Sequence, residues 1–178
     1  MSLHEIVLPE TKPETEWVRG RALQKASPQR THSRLQGALT MQLTRWAAGR
    51  GEVGPEWRFR VAPPGEPRRP LVPDVAYVSS DRLRPLSDAE LEVPALAPDV
   101  AVEVLSRDDR RIDVDDKISV YLRAGSSLVI VVDPLRHVVE LHDGNGVTQL
   151  DESGAIEHWA MPDFSYPVHD LFAVLRRA

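Results

Sequence analysis

Val100-Ala101-Val102-Glu103-Val104-Leu105, followed later by Leu128-Val129-Ile130-Val131-Val132, decides the fold. Each run is short, apolar and rich in β-branched residues, the pattern of a strand buried on both faces. Between them Ile112, Ile118, Tyr121 and Leu122 recur at helical spacing, and the pattern stops at Gly125. A strand, a helix and a strand of these lengths imply a right-handed crossover between two parallel strands. The two runs therefore mark the centre of a sheet.

Working toward the N-terminus, Leu71 to Val78 reads as a further strand, with Pro73 near its start. Before it, Trp57, Phe59 and Val61 alternate with Arg58 and Arg60, a strand with one buried face and outward arginines. The segment from Pro63 to Pro70 reads as an exposed connection. Leu35, Ala38, Leu39, Leu43, Trp46 and Ala47 predict a helix over 31–49, with Gly51 just past its end.

Toward the C-terminus, Val138 to His142, an Asp143-Gly144 turn and Val147 to Leu150 predict a peripheral hairpin. Leu171 to Leu175 predicts a short closing helix. The expected class is α/β, a mixed sheet flanked by helices. With no internal repeat or linker, residues 1–178 read as a single domain.

Composition excludes several function classes. A hydrophobic fraction of 42% and a charged fraction of 28% place the chain among ordinary globular proteins rather than disordered ones. The chain has no Cys, which removes disulfides, thiolate metal sites and a cysteine nucleophile. MSLHEIVLPETKPE lacks the basic start and apolar run of a signal peptide, and no apolar stretch approaches the roughly 20 residues that span a bilayer. The expectation is a cytoplasmic protein without a membrane segment. A net charge of -5 means that any nucleic-acid surface must be a local one. Arg19, Arg21, Lys25, Arg30 and Arg34 form one basic concentration, and Arg58, Arg60, Arg68 and Arg69 another. Each reads either as a phosphate-contacting surface or as a solvated face that balances acids elsewhere.

Glu103 is the residue that demands an explanation. An ionised carboxylate in a buried strand must be paired, hydrogen-bonded, metal-bound or neutralised. Asp74, next to Pro73, supplies a second acid at the start of a neighbouring strand, although a lone Pro-Asp pair is equally a turn signal. Two carboxylates with a lysine nearby can hold a hard divalent cation and leave coordination positions for water and phosphate. That chemistry suits phosphodiester hydrolysis, with Mg2+ or Mn2+ as the natural ion.

The blocks Val72-Pro73-Asp74-Val75, Pro98 to Ser106, Asp116-Lys117, Tyr121-Leu122-Arg123-Ala124-Gly125 and Val131-Val132-Asp133-Pro134 resemble, in order and pattern, the central region of a bacterial restriction-endonuclease family, Uma-two. This family lies within the PD-(D/E)xK superfamily. Glu16-Trp17-Val18-Arg19-Gly20, Ser27-Pro28 with His32, and Leu171-Phe172 extend the resemblance more weakly. It implies a restriction-endonuclease-like fold and a Mg2+- or Mn2+-dependent nuclease acting on DNA. Asp74 and Glu103 would be its metal ligands and Lys117 its catalytic lysine. A one-domain nuclease of this kind is expected to act as a homodimer.

One departure is plain. Two positions after Glu103, where the superfamily carries lysine, this chain has Leu105, and Lys117 on the following helix is the candidate replacement. The ordinary reading of Lys117 is a surface lysine paired with Asp113, four residues earlier. Glu16 reads as a third site acid or as a solvated N-terminal carboxylate. His32 reads as a core histidine or as a neighbour of the site. Asp108, Asp109, Asp113, Asp115 and Asp116 read as acids favoured at a helix start. Two other functions remain open on these residues: a catalytically silent binding module of the same fold, and a small-molecule hydrolase using the same carboxylates.

Overall fold

The computed structural model describes residues 4–177. Its core is a six-stranded sheet in the order β10-β9-β8-β7-β6-β3. Those strands are β3 (Gly51–Pro55), β6 (Val75–Ser79), β7 (Val100–Val104), β8 (Leu128–Asp133), β9 (Val138–Asp143) and β10 (Gly146–Leu150). Only β7 and β8 pair in parallel, with Val102 opposite Ile130 and Glu103 opposite Val131. The other neighbours run antiparallel, so the sheet is mixed, as expected. Outside it, β1 (Thr15–Val18) pairs with β2 (Arg21–Gln24), and β4 (Phe59–Val61) with β5 (Arg69–Leu71).

Helices cover both faces because the strands alternate apolar side chains to each. Val100, Val102 and Val104 of β7 and Leu128, Ile130 and Val132 of β8 join Leu35, Leu39 and Leu43 of α1 (Arg30–Ala47) in one core. The residues between them, Ala101, Val129 and Val131, join Val114, Ile118 and Tyr121 of the β7–β8 crossover helix. That helix is α4 (Arg111–Arg123); α2 (Ser80–Leu83) and α3 (Asp88–Glu92) precede it, and α5 (Val168–Ala173) packs at the α1 face. Glu103 therefore points to the α4 face.

Several local expectations shift, among them the exposed connection, whose Arg69 and Pro70 are buried in β5, and the closing helix, which runs Val168–Ala173. The helix predicted over 31–49 ends at Ala47: Ala48 leaves helical geometry at ψ 119°, and Gly49 takes φ +75°. Trp57 lies outside β4 and packs against Phe59, ring to ring at 4.9 Å, while Arg58 and Arg60 are held by Glu14 and Glu5. The strand read over Leu71 to Val78 is broken at Val72–Asp74. Pro73 has no N–H to give to a ladder, the Val72 N–H goes to Glu16 Oε1 at 2.7 Å, and pairing resumes with Asp74 N–H to the Val102 carbonyl at 2.9 Å. The predicted hairpin forms as β9 and β10.

Candidate functional site

The break before β6 is what places Asp74. Its neighbour Val75 pairs with Val102, so Asp74 lies across from Glu103 at the same end of adjacent strands. Four further elements bring side chains to this point. The β1–β2 hairpin supplies Glu16 and, just past its end, Lys25; α1 supplies His32 and Gln36; the residue after β3 supplies Glu56; α4 supplies Lys117 and Tyr121. On α4, Lys117 and Tyr121 are four residues apart and share the face that meets the sheet.

Both lysines are spent on the acids. Lys117 Nζ lies 2.8 Å from Glu103 Oε1 and 2.9 Å from Glu16, and is buried with them. Tyr121 donates to the same Glu103 oxygen at 3.3 Å. Lys25 Nζ lies 2.8 Å from Asp74 Oδ1, 2.8 Å from Glu56 Oε2 and 3.0 Å from the Val72 carbonyl. His32 Nε2 sits 3.1 Å from Asp74 Oδ1, and the Val104 N–H donates to Oδ2 at 2.6 Å. Gln36 bridges the Asp74 carbonyl and Glu56 Oε1, at 2.8 and 2.9 Å. This leaves Glu103 Oε2 without a hydrogen bond from the described residues, on the wall of an open cleft of about 320 Å3.

Burial pulls the two carboxylates upward and their neighbours decide the outcome. For Asp74 burial is outweighed by Lys25 and His32, and its pKa falls below the usual carboxylate range. For Glu103 burial prevails over Lys117, helped by Asp74 and Glu16, and the carboxyl is pushed up to about 8. Burial lowers the His32 imidazole, but Asp74 lifts it above its ordinary value. Two carboxyls shifted in opposite directions within one cleft form the kind of pair that active sites build.

The cluster is not balanced. Four carboxylates, Glu16, Glu56, Asp74 and Glu103, meet two ammoniums, Lys25 and Lys117, and one imidazole. Four carboxyl groups against three basic ones, with a Glu103 oxygen that accepts no hydrogen bond from the described residues and a carboxyl that would give up its proton on binding, suit a hard dication. Among the described residues no three His, Asp or Glu side chains converge as a ready-made cage. An ion there would find two carboxylates and would need water and phosphate oxygens to complete its shell, a donor set of the kind Mg2+ accepts.

The model of the Uma2 family, described as "Putative restriction endonuclease", matches residues 3–163 of this chain. The chain belongs to that family. It is accordingly a member of the PD-(D/E)xK-like nuclease superfamily, and its mixed sheet with helices on both faces has the restriction-endonuclease-like architecture. A solved structure from Anabaena variabilis ATCC 29413, described as a putative nuclease belonging to DUF820, superposes with a TM-score of 0.85. It is 24% identical, with 95% of each chain covered, and the likeness is one of fold. No curated protein matches the chain significantly. No helix among the described residues is long and apolar enough to cross a membrane.

Within this Uma2 chain the five residues singled out from sequence, Asp74, Glu103, Lys117, Glu16 and His32, all line the one cleft. Lys117 is not the surface partner of Asp113; that acid is taken by Arg21 at 3.1 Å and Arg19 at 3.5 Å. Glu16 is buried, not solvated. The sequence reading missed Lys25, Gln36, Glu56 and Tyr121 as parts of the site. Tyr121 reads from sequence only as part of an apolar helix face, and Lys25 only as one member of a basic concentration with Arg19, Arg21, Arg30 and Arg34.

Proposed function

We propose that this protein is a metal-dependent endonuclease that hydrolyses DNA phosphodiester bonds, with Asp74 and Glu103 as ligands of a Mg2+ or Mn2+ ion. One observation carries the reading: two buried carboxylates from adjacent strands, one with a free oxygen on an open cleft, in a cluster with more acid than base. When bound, such an ion lowers the pKa of a coordinated water and offsets charge on the phosphoryl oxygens.

The chain's own groups would do the rest. The Val104 N–H and His32 fix the Asp74 carboxylate, so its orientation is set before substrate arrives. Tyr121 and Lys117 do the same for Glu103. Lys117, tied to α4 and to both acids, is the one ammonium beside Glu103 and takes the role of the lysine replaced by Leu105: orienting the attacking water and stabilising charge on the phosphate. Arg21 and Arg110, on the cleft wall, supply phosphate contacts.

The test is cleavage of plasmid and linear DNA in Mg2+ and in Mn2+, with EDTA as control. Cleavage that needs the ion and disappears in folded Asp74→Ala and Glu103→Ala supports the site. Full activity in either folded variant rejects it.

A second reading is favoured by one feature: every carboxylate of the cluster already has a protein cation or N–H, and no three-residue cage exists among the described residues. A silent nucleic-acid-binding module would look like this. Calorimetry separates the two, because a silent module with no need of the ion shows no Mn2+ binding while folded. We take residues 1–178 as one cytoplasmic nuclease domain acting as a homodimer, which addresses both strands of a duplex. Sedimentation showing only monomer at micromolar concentration counts against the dimer.

A further inference from the structure

Access to the two proposed ligands is unequal. Glu103 Oε2 accepts no hydrogen bond from the described residues, whereas both oxygens of Asp74 do or are ion-paired. Oδ2 is sealed by the Val104 backbone N–H at 2.6 Å, and this bond fixes the strand end. A cation can therefore reach Asp74 only through Oδ1, where Lys25 Nζ sits at 2.8 Å and His32 Nε2 at 3.1 Å, the ammonium being the closer of the two and the one with other acceptors to move to.

Lys25 is well held there. Asp74 Oδ1, Glu56 Oε2 and the Val72 carbonyl use all three donors of its ammonium. Two of those acceptors do not belong to Asp74. Glu56 is held by Gln36 on α1, and its side chain is 41% exposed, so it can accommodate a lysine without further burial. Lys25 can thus leave Asp74 and keep the Glu56 and Val72 contacts.

We propose that Lys25 is a built-in competitor for the metal: its ammonium occupies the cation position on Asp74 Oδ1, and a dication binds there by displacing it toward Glu56. This rests on the metal-dependent reading of the site. The lysine compensates the buried acid in the metal-free protein and weakens metal affinity to the same extent. Its role is positional, because it acts on the ligand Asp74 and on no reacting atom.

The experiment is calorimetric titration of the whole protein with Mn2+ alone, for wild type and Lys25→Met. The expected result is binding tightened by at least about tenfold in the variant. A crystal structure with Mn2+ should show Lys25 Nζ off Oδ1 and still bonded to Glu56. Equal or weaker affinity in the variant, or Mn2+ seated on Asp74 with Lys25 unmoved, overturns the competitor and leaves the metal site standing. Absence of Mn2+ binding in both folded proteins overturns the metal site itself and the competitor with it. Should Lys25→Met fail to fold, Lys25→Gln keeps a donor on Asp74 without the charge, and the same outcomes apply.

Discussion

Two strands of the sheet carry a single acid in an apolar run: Glu103 in Val-Ala-Val-Glu-Val, and Glu140 in Val-Val-Glu-Leu-His. Both carboxylates are buried and both meet basic partners. Around Glu140, Arg111 binds both oxygens, at 2.9 and 2.8 Å, and His142 adds a contact at 2.8 Å, so acid and base balance. Around Glu103 the acids outnumber the bases, one oxygen is free, and a cleft opens beside it. A buried acid is thus no mark of a site by itself; what sets Glu103 apart is an oxygen that accepts no hydrogen bond and a cleft that reaches it. Glu140 shows what the same problem looks like when it is solved for stability alone.

This contrast can be broken most directly by activity. Asp74→Asn and Glu103→Gln should each lower the rate of metal-dependent DNA cleavage by about a thousandfold or more, while Glu140→Gln should leave it within about twofold of wild type. Loss of cleavage in Glu140→Gln at unchanged fold would erase the distinction. Next in size is Lys117→Met. It leaves Glu16 and Glu103 buried without their shared cation, and urea denaturation should register a loss of about 3 kcal/mol, partly recovered when Glu16→Gln is added.

Glu140→Gln should cost less, about 1–2 kcal/mol, because Arg111 is 46% exposed and can turn to water. The smallest effect is in pH. Burial raises Glu140, but Arg111 and His142 hold it below its ordinary value. Its contribution to stability is therefore complete above the unfolded value near 4.5 and is lost as pH falls through the lower folded one. Denaturation midpoints between pH 6 and pH 3 should fall more steeply for wild type than for Glu140→Gln. Equal slopes would mean that Arg111 does not perturb the carboxyl in solution.

The centre of the sheet was legible because local rules suffice there. The apolar runs of β7 and β8 and the helical spacing between them leave little choice, and the same runs exposed Glu103 as an anomaly. Asp74 was legible as an acid beside a proline, but the broken strand that aims it was not, since the Val72 N–H is satisfied by Glu16, 56 residues earlier in the chain. Lys117 could not be assigned from spacing: Asp113 stands at the right distance on the helix, and only the hairpin arginines show that it is already taken. Lys25 carried no signal that set it apart from the arginines around it. Its meaning comes from Asp74, Glu56 and Val72, which meet it only in the folded chain.

The bond between Lys117 and Glu16 joins residues 101 positions apart, and it is made by a two-stranded hairpin that belongs to no part of the main sheet. Such a hairpin is a unit that can open on its own, with the six central strands still paired. In hydrogen exchange, β1 and β2 would then lose protection before β7 and β8. Its opening would part Glu16 from Lys117 and remove one wall of the cleft while the sheet stays folded.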